Sequence, residues 1–91
     1  MTPLQQRFRE VVGALQLGEV VSYREVARRS GQPGAARAVG GFLADHGHDV
    51  PWWRVVRTDG RLAAPNVADQ RRRLRAEGVE IDGAHVIGGV P

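Results

Sequence analysis

No cysteine occurs anywhere in the 91 residues, and that absence removes a class of chemistry. The chain can form no disulfide, no thiolate nucleophile and no thiolate metal site. Lysine is missing too, so all 13 basic residues are arginines. No apolar run approaches the roughly 18 residues that span a bilayer, and no membrane partner is expected. The first residues lack the charged-then-apolar order of a signal peptide, which leads us to expect a cytoplasmic chain. His46 and His48 lie in a loop without a third ligand at metal spacing, so neither zinc nor any other cofactor is expected. The length suits one hydrophobic core, and residues 1–91 are read as a single domain.

What the sequence does carry is arginine. The formal net charge is only +3, mild for a nucleic-acid binder. Arginine presents a planar fork of donors that grips phosphate or a base edge through two bonds, whereas lysine is a mobile point charge. A GC-rich coding sequence also favours arginine, together with the Ala, Gly and Val found here. Charge alone therefore does not establish DNA binding.

Helix signals punctuate the first half. Thr2-Pro3-Leu4-Gln5 has a capping hydroxyl, a proline where its missing N–H is harmless, and a glutamine placed to close a capping box. Leu4, Phe8, Val11, Val12 and Leu15 follow at helical spacing on one side. After a break at Gly18–Val21, Ser22-Tyr23-Arg24-Glu25 reads as a second capping box. That helix runs to about Ser30, with Gly31 as its left-handed stop. Gln32-Pro33-Gly34 then leads into a helix from about Ala35 to Ala44, whose Val39, Phe42 and Leu43 are expected in the core. Two short helices around a glycine-containing turn form a helix-turn-helix pattern. The second helix surrounds one long cation, Arg37, with small residues: Ala35, Ala36, Gly40 and Gly41. Paired glycines inside a helix cost about 1 kcal/mol each relative to alanine, which suggests a close neighbour, either DNA or another helix.

The second half reads as a loop over 45–51, then a wing-like hairpin of Trp53–Val56 and Thr58–Leu62 turning at Asp59-Gly60. Asn66 can cap a last helix that runs through Glu77 and stops at Gly78. The tail after Val79 is expected to be partly extended, with a frayed end. If the segment around Trp52 and Trp53 is extended, the two indoles point to opposite sides.

Three strings carry a further message: Gly18-Glu19-Val20-Val21-Ser22-Tyr23, Ala35-Ala36-Arg37-Ala38-Val39-Gly40-Gly41 and Val50-Pro51-Trp52-Trp53-Arg54-Val55-Val56. In this order they resemble the DNA-binding domain of O6-alkylguanine-DNA alkyltransferases. In that family the third motif is Pro-Cys-His-Arg-Val, and its cysteine accepts the alkyl group. Trp52 stands at the cysteine and Trp53 at the histidine. With the family's N-terminal domain also absent, the chain resembles the alkyltransferase-like proteins, which bind the lesion and pass it to other repair machinery. The fold so implied is mainly α with a small β-hairpin, winged helix-turn-helix-like.

Losing the cysteine has a consequence independent of family. Alkyl transfer needs a soft nucleophile activated by a neighbouring base, and an indole has no such lone pair. No catalytic residue is therefore assigned. Glu77 matches the carboxylate that orients the family's histidine; here it is expected to have nothing to orient and to serve the fold.

The resemblance implies that Arg37 fills the gap left by an extruded nucleotide while Tyr23 crowds the rotating phosphate. Ala35, Ala36, Gly40 and Gly41 would let the helix approach the minor groove closely. The lesion pocket would comprise Tyr23, Trp52, Val55, Pro65 and Asn66, with Trp53 as the wall beneath and backbone groups near Trp52, Val55 and the Pro65-Asn66 loop meeting the guanine edge. The four arginines at 71, 72, 73 and 75 are read as a solvated face. The implied partners are duplex DNA containing O6-alkylguanine and nucleotide excision repair proteins, bound by a monomer that is nucleoid-associated if bacterial. Three rivals stand: a helix-turn-helix transcription regulator or general DNA-binding module, a repair enzyme with another nucleophile, and a partner domain that no longer binds DNA. The first would need base-reading side chains on the recognition helix, which Ala35, Ala36, Gly40 and Gly41 do not provide.

Overall fold

A computed structural model describes residues 1–91. Thr2 begins helix α1 (Pro3–Gly13) with both halves of its capping box formed, so the first orphan N–H groups are satisfied where the sequence predicts. Phe8, Val12 and Leu15 are buried from this side. Strand β1 (Val21–Ser22) leads directly into α2 (Tyr23–Arg29). The Ser22 hydroxyl caps α2 by accepting the Glu25 N–H at 3.0 Å. The reciprocal half of that expected capping box is not made: the Glu25 carboxylate is taken by Arg28 and Arg29, and the Ser22 N–H donates to the Pro91 carbonyl at 3.0 Å.

Gly31, at φ +85°, reverses the chain into α3 (Ala36–His46). Val39 and Phe42 enter the main core with Val26 and Ala27 of α2, while Leu43 is only half-buried. The expected loop at 45–51 is partly helical, because α3 continues to His46 and a 3-10 turn follows at Gly47–Asp49.

The predicted wing hairpin requires correction. Strand β2 (Val55–Val56) pairs in parallel with β1, Val21 opposite Val55 and Ser22 opposite Val56. Val55 and Val56 are both completely buried, Val55 in the core of α1–α3 and Val56 in a second cluster with Leu62 and Leu74. Although β2 is an edge strand of a two-stranded sheet, its two side chains point into the two clusters, so it has no solvent side to present. The Asp59-Gly60 turn does form, closed by the Gly60 N–H on the Arg57 carbonyl at 2.8 Å. The chain leaving it pairs with the C-terminal segment: Leu62 N–H donates to Ala84 O and Val86 N–H to Gly60 O. The true hairpin is β3 (Ile81–Asp82) with β4 (His85–Val86). Between these parts lies α4 (Val67–Ala76), capped by Asn66 through the Asp69 N–H at 2.9 Å, with Gly78 at φ +85° just past its end. The tail is docked, not frayed, through the bonds of Val86, Ile87 and Pro91. The result is mainly helical with two two-stranded sheets.

Candidate nucleic-acid interface

One cleft collects most of the residues singled out in the sequence. Tyr23 enters it from the first position of α2, and Ala36, Arg37, Gly40 and Gly41 come from the first turns of α3. Opposite them stand Trp52 and the Ala63–Asn66 loop. The volume of this open cleft is about 590 Å³, inside the range of roughly 300–1,000 Å³ typical of small-ligand sites. Its charged and titratable lining consists of Arg37, Arg57, His48 and the Tyr23 phenol, without any carboxylate. Burial raises the Tyr23 pKa, and the nearby Arg57 opposes that shift only partly. The phenol therefore stays protonated at neutral pH and can donate a hydrogen bond.

One expected pocket residue, Val55, and one expected DNA-contacting residue, Ala35, do not line the cleft. Val55 is fully buried, with its N–H donated to the Trp52 carbonyl and its own carbonyl accepting the Gln70 Nε2 amide at 3.0 Å. Its backbone is thus engaged inside the protein. Ala35 is the N-terminal flanking residue of α3 and packs against the core. Pro65 and Asn66 are exposed at the cleft rim.

The glycines of α3 settle one ambiguity. A methyl group built on either Gly40 or Gly41 would meet nothing within 4 Å. No second helix occupies the groove that these residues leave, so their smallness is not explained by packing within the chain.

The two tryptophans are not on opposite sides of a strand. Residues Trp52–Arg54 form a 3-10 turn, and the indoles meet edge to face with centroids 5.8 Å apart at 89°. The Arg73 guanidinium from α4 lies 5.6 Å from the Trp52 ring and 4.7 Å from the Trp53 ring. Arg54 adds a second cation 5.4 Å from Trp53. Such geometry favours cation–π attraction and holds both rings on the body of the protein. Asp69 steadies Arg73 from one turn earlier, through a bond of 3.2 Å.

Glu77 is likewise not idle. It accepts the Trp53 indole N–H at 2.7 Å, two donors of Arg54 and the Gly18 N–H at 2.9 Å. Arg54 also donates to the Leu15 carbonyl at 2.8 Å. The Arg54 hydrogen bonds are the main reason that the Glu77 pKa falls from 4.5 to about 2, against a smaller opposing effect of burial. The carboxylate orients an indole and a guanidinium, so its structural role is as expected but the expectation that it orients nothing is corrected.

Gln70 was not foreseen. It is completely buried, donates to the Trp53 and Val55 carbonyls and accepts the Ala64 N–H. One side chain thereby joins the tryptophan turn, β2 and the cleft loop to α4. The available signal was position: Val67, Gln70 and Leu74 share one helical face, and a polar residue on such a face needs partners. His48 and Arg57 also line the cleft without any sequence signal beyond their charge.

Residues 3–79 match the family described as the 6-O-methylguanine DNA methyltransferase, DNA binding domain. The chain belongs to this family. Within it, the DNA base-flipping protein of Escherichia coli is 42% identical over 83 residues, covering 87% of this chain and 64% of that protein. Alkyltransferase-like protein 1 of Schizosaccharomyces pombe is 37% identical over 79 residues, covering 79% and 72%. The crystal structure of S. pombe Atl1 in complex with damaged DNA containing O6-carboxymethylguanine superposes with a TM-score of 0.80 at 34% identity, over 90% of this chain and 82% of that one. The chain thus spans a little under two thirds of the E. coli relative's length. Its mainly helical architecture is that of the family's DNA-binding domain, and it carries no thiol.

Proposed function

We propose that this chain recognises O6-alkylated guanine in duplex DNA, extrudes it into the cleft, and does not remove the alkyl group. The observation that carries the reading is the cleft itself: an open, carboxylate-free cavity between Arg37 and Trp52 in a family member without cysteine. Extrusion costs a few kcal/mol of unpairing and unstacking, less for a damaged base. Arg37, exposed on α3, fills the vacated place in the stack, and Tyr23 at the cleft wall crowds the phosphate that turns with the nucleotide. Trp52 offers the flipped base a flat apolar surface, with a stacking contribution on the order of 1–3 kcal/mol. Trp53, tied to Glu77, forms the wall beneath it. Gly40 and Gly41, open to solvent-side space, let the DNA backbone approach α3.

Without a nucleophile the complex persists instead of turning over, so its use is to mark the site. A lesion bound but not reversed must be removed by other proteins, and the resemblance to alkyltransferase-like proteins is what points to nucleotide excision repair for this handover.

The test is a titration into two short duplexes differing by one O6-methylguanine, at fixed salt because phosphate contacts make affinity salt-dependent. Preference for the lesion, lost in Arg37→Ala and without an added methyl mass on the protein, is the expected result. Equal affinity for both duplexes would remove lesion recognition, and a methyl adduct would make the chain an enzyme.

A further inference from the structure

Beside the cleft runs a shallower groove lined by Tyr23, Arg24, Ala36, Arg37, Arg57 and Thr58, with Asp59 at one end. Tyr23, Ala36, Arg37 and Arg57 belong to both, so the two cavities adjoin along these four residues. The arginines of this groove differ from most others in the chain. Arg9, Arg28, Arg29, Arg54, Arg72 and Arg73 are engaged in ion pairs. Arg24, Arg37 and Arg57 are exposed and take part in none of them. The single carboxylate nearby, Asp59, is occupied by its own turn, where it accepts the Arg61 N–H at 3.0 Å. Three unneutralised guanidiniums therefore converge on one strip of surface, beside a phenol held in its donor form.

That strip has the chemistry of a phosphate site. Guanidinium matches phosphate oxygens through two parallel bonds, and exposure of the free arginine leaves it able to adjust to the anion. We infer that Arg57, with Arg24 in the same groove, clamps the DNA phosphates flanking the extruded nucleotide, and that this clamp engages the flipped state more than the stacked one. The inference rests on the proposed extrusion into the cleft. Its geometric basis is that Arg57 lines both the groove and the cleft but follows β2 and does not lie on α3, so a nucleotide seated between Arg37 and Trp52 brings its phosphates beside a cation that stands off the recognition helix. Arg37 then fills the stack while Arg57 holds the displaced backbone, a division of labour between two cations of one surface.

The experiment measures affinity for the O6-methylguanine duplex and its unmodified counterpart across a range of salt, for the wild type, Arg57→Ala, Arg24→Ala and Arg75→Ala. Arg75 is exposed on α4, away from the groove, and its variant removes the same charge. Arg57→Ala is expected to weaken lesion binding about tenfold, the loss of one charged hydrogen-bonded contact. It should also reduce the slope of log K against log salt by about 0.9, the signature of one phosphate contact. Arg24→Ala should act in the same direction and less strongly, and Arg75→Ala should leave both quantities near wild type. An uncharged methylphosphonate at the phosphate beside the lesion should reproduce the loss in wild type and add little to Arg57→Ala. If Arg57→Ala behaves as Arg75→Ala while wild type still prefers the lesion, the clamp is wrong and the lesion-recognition reading stands. If Arg57→Ala lowers affinity and slope equally on both duplexes, Arg57 is a general backbone contact and the flipped-state assignment is overturned. Absence of lesion preference in wild type would instead count against the extrusion reading itself.

Discussion

Glu77 shows how much one side chain can join. It receives the Trp53 indole, the Arg54 guanidinium and the Gly18 N–H, and so connects the tryptophan turn to the loop before β1 and to the end of α4. Its carboxyl pKa is lowered to about 2, so its contribution to stability is complete above the ordinary value near 4.5 and is lost as pH falls toward 2. Wild type should accordingly lose stability over this acid window, by an amount on the order of 1–3 kcal/mol from this group after allowance for solvent screening. Glu77→Gln should be less stable at pH 7, because Arg54, only 13% exposed, is left without its counter-charge. It should also show a flatter decline between pH 4.5 and 2. Chemical denaturation of both proteins at several pH values checks this; parallel curves would mean that Glu77 is not the group responsible. The sequence displayed the carboxylate and its place near the end of α4, but not its partners, since Trp53 and Gly18 reach it only through tertiary contacts.

At the level of elements, the recognition helix α3 carries the clearest conflict between stability and use. Glycine in a helix interior is unfavourable by roughly 0.5–1 kcal/mol relative to alanine, yet α3 has Gly40 and Gly41 with open space where a methyl group would go. Gly41→Ala should therefore stabilise the free protein by about 0.5–1 kcal/mol while weakening its binding to duplex DNA. Thermal melts alongside the titration test both signs at once; a destabilised variant would show that Gly41 serves the fold, and unchanged binding would show that DNA does not approach the helix there. The helices themselves were legible because their ends are written locally, in Thr2, Ser22, Gly31, Asn66 and Gly78. The strands were not. Val55 and Val56 have the composition of a hairpin strand, but their partners Val21 and Ser22 lie far back in the chain, and no local pattern encodes a parallel pairing. The same nonlocality hid the docking of the tail against Gly60 and Ser22. It also made the tryptophan pair look extended, whereas Gln70 and Arg73 of α4 hold it in a 3-10 turn.

Across the whole molecule, the net charge of +3 understates the surface that matters. Half of the acids pair locally with Arg9, Arg28, Arg29, Arg54, Arg72 and Arg73, and three of the arginines left outside these pairs, Arg24, Arg37 and Arg57, border the cleft and its adjoining groove. Field of one sign along a cleft raises the local concentration of a polyanion and steers its approach. The sequence placed Tyr23, Arg37 and Trp52 in one site by resemblance, and the fold does gather them, with Ala36, Gly40, Gly41, Pro65 and Asn66, around one cavity. It gave no hint of Arg57 or His48, whose positions depend on how β2 and α3 leave the core.

The central claim is that a damaged guanine leaves the stack and enters this cavity without being repaired. A duplex with the fluorescent base pyrrolocytosine opposite O6-methylguanine reports it most directly, because the reporter brightens when its partner departs. Saturating wild-type protein should raise the emission, Arg37→Ala should not, and the O6-methylguanine should be recovered intact from the complex. Tight, lesion-selective binding with unchanged emission would mean that the base is read within the helix, and the cleft would then have no part in recognition.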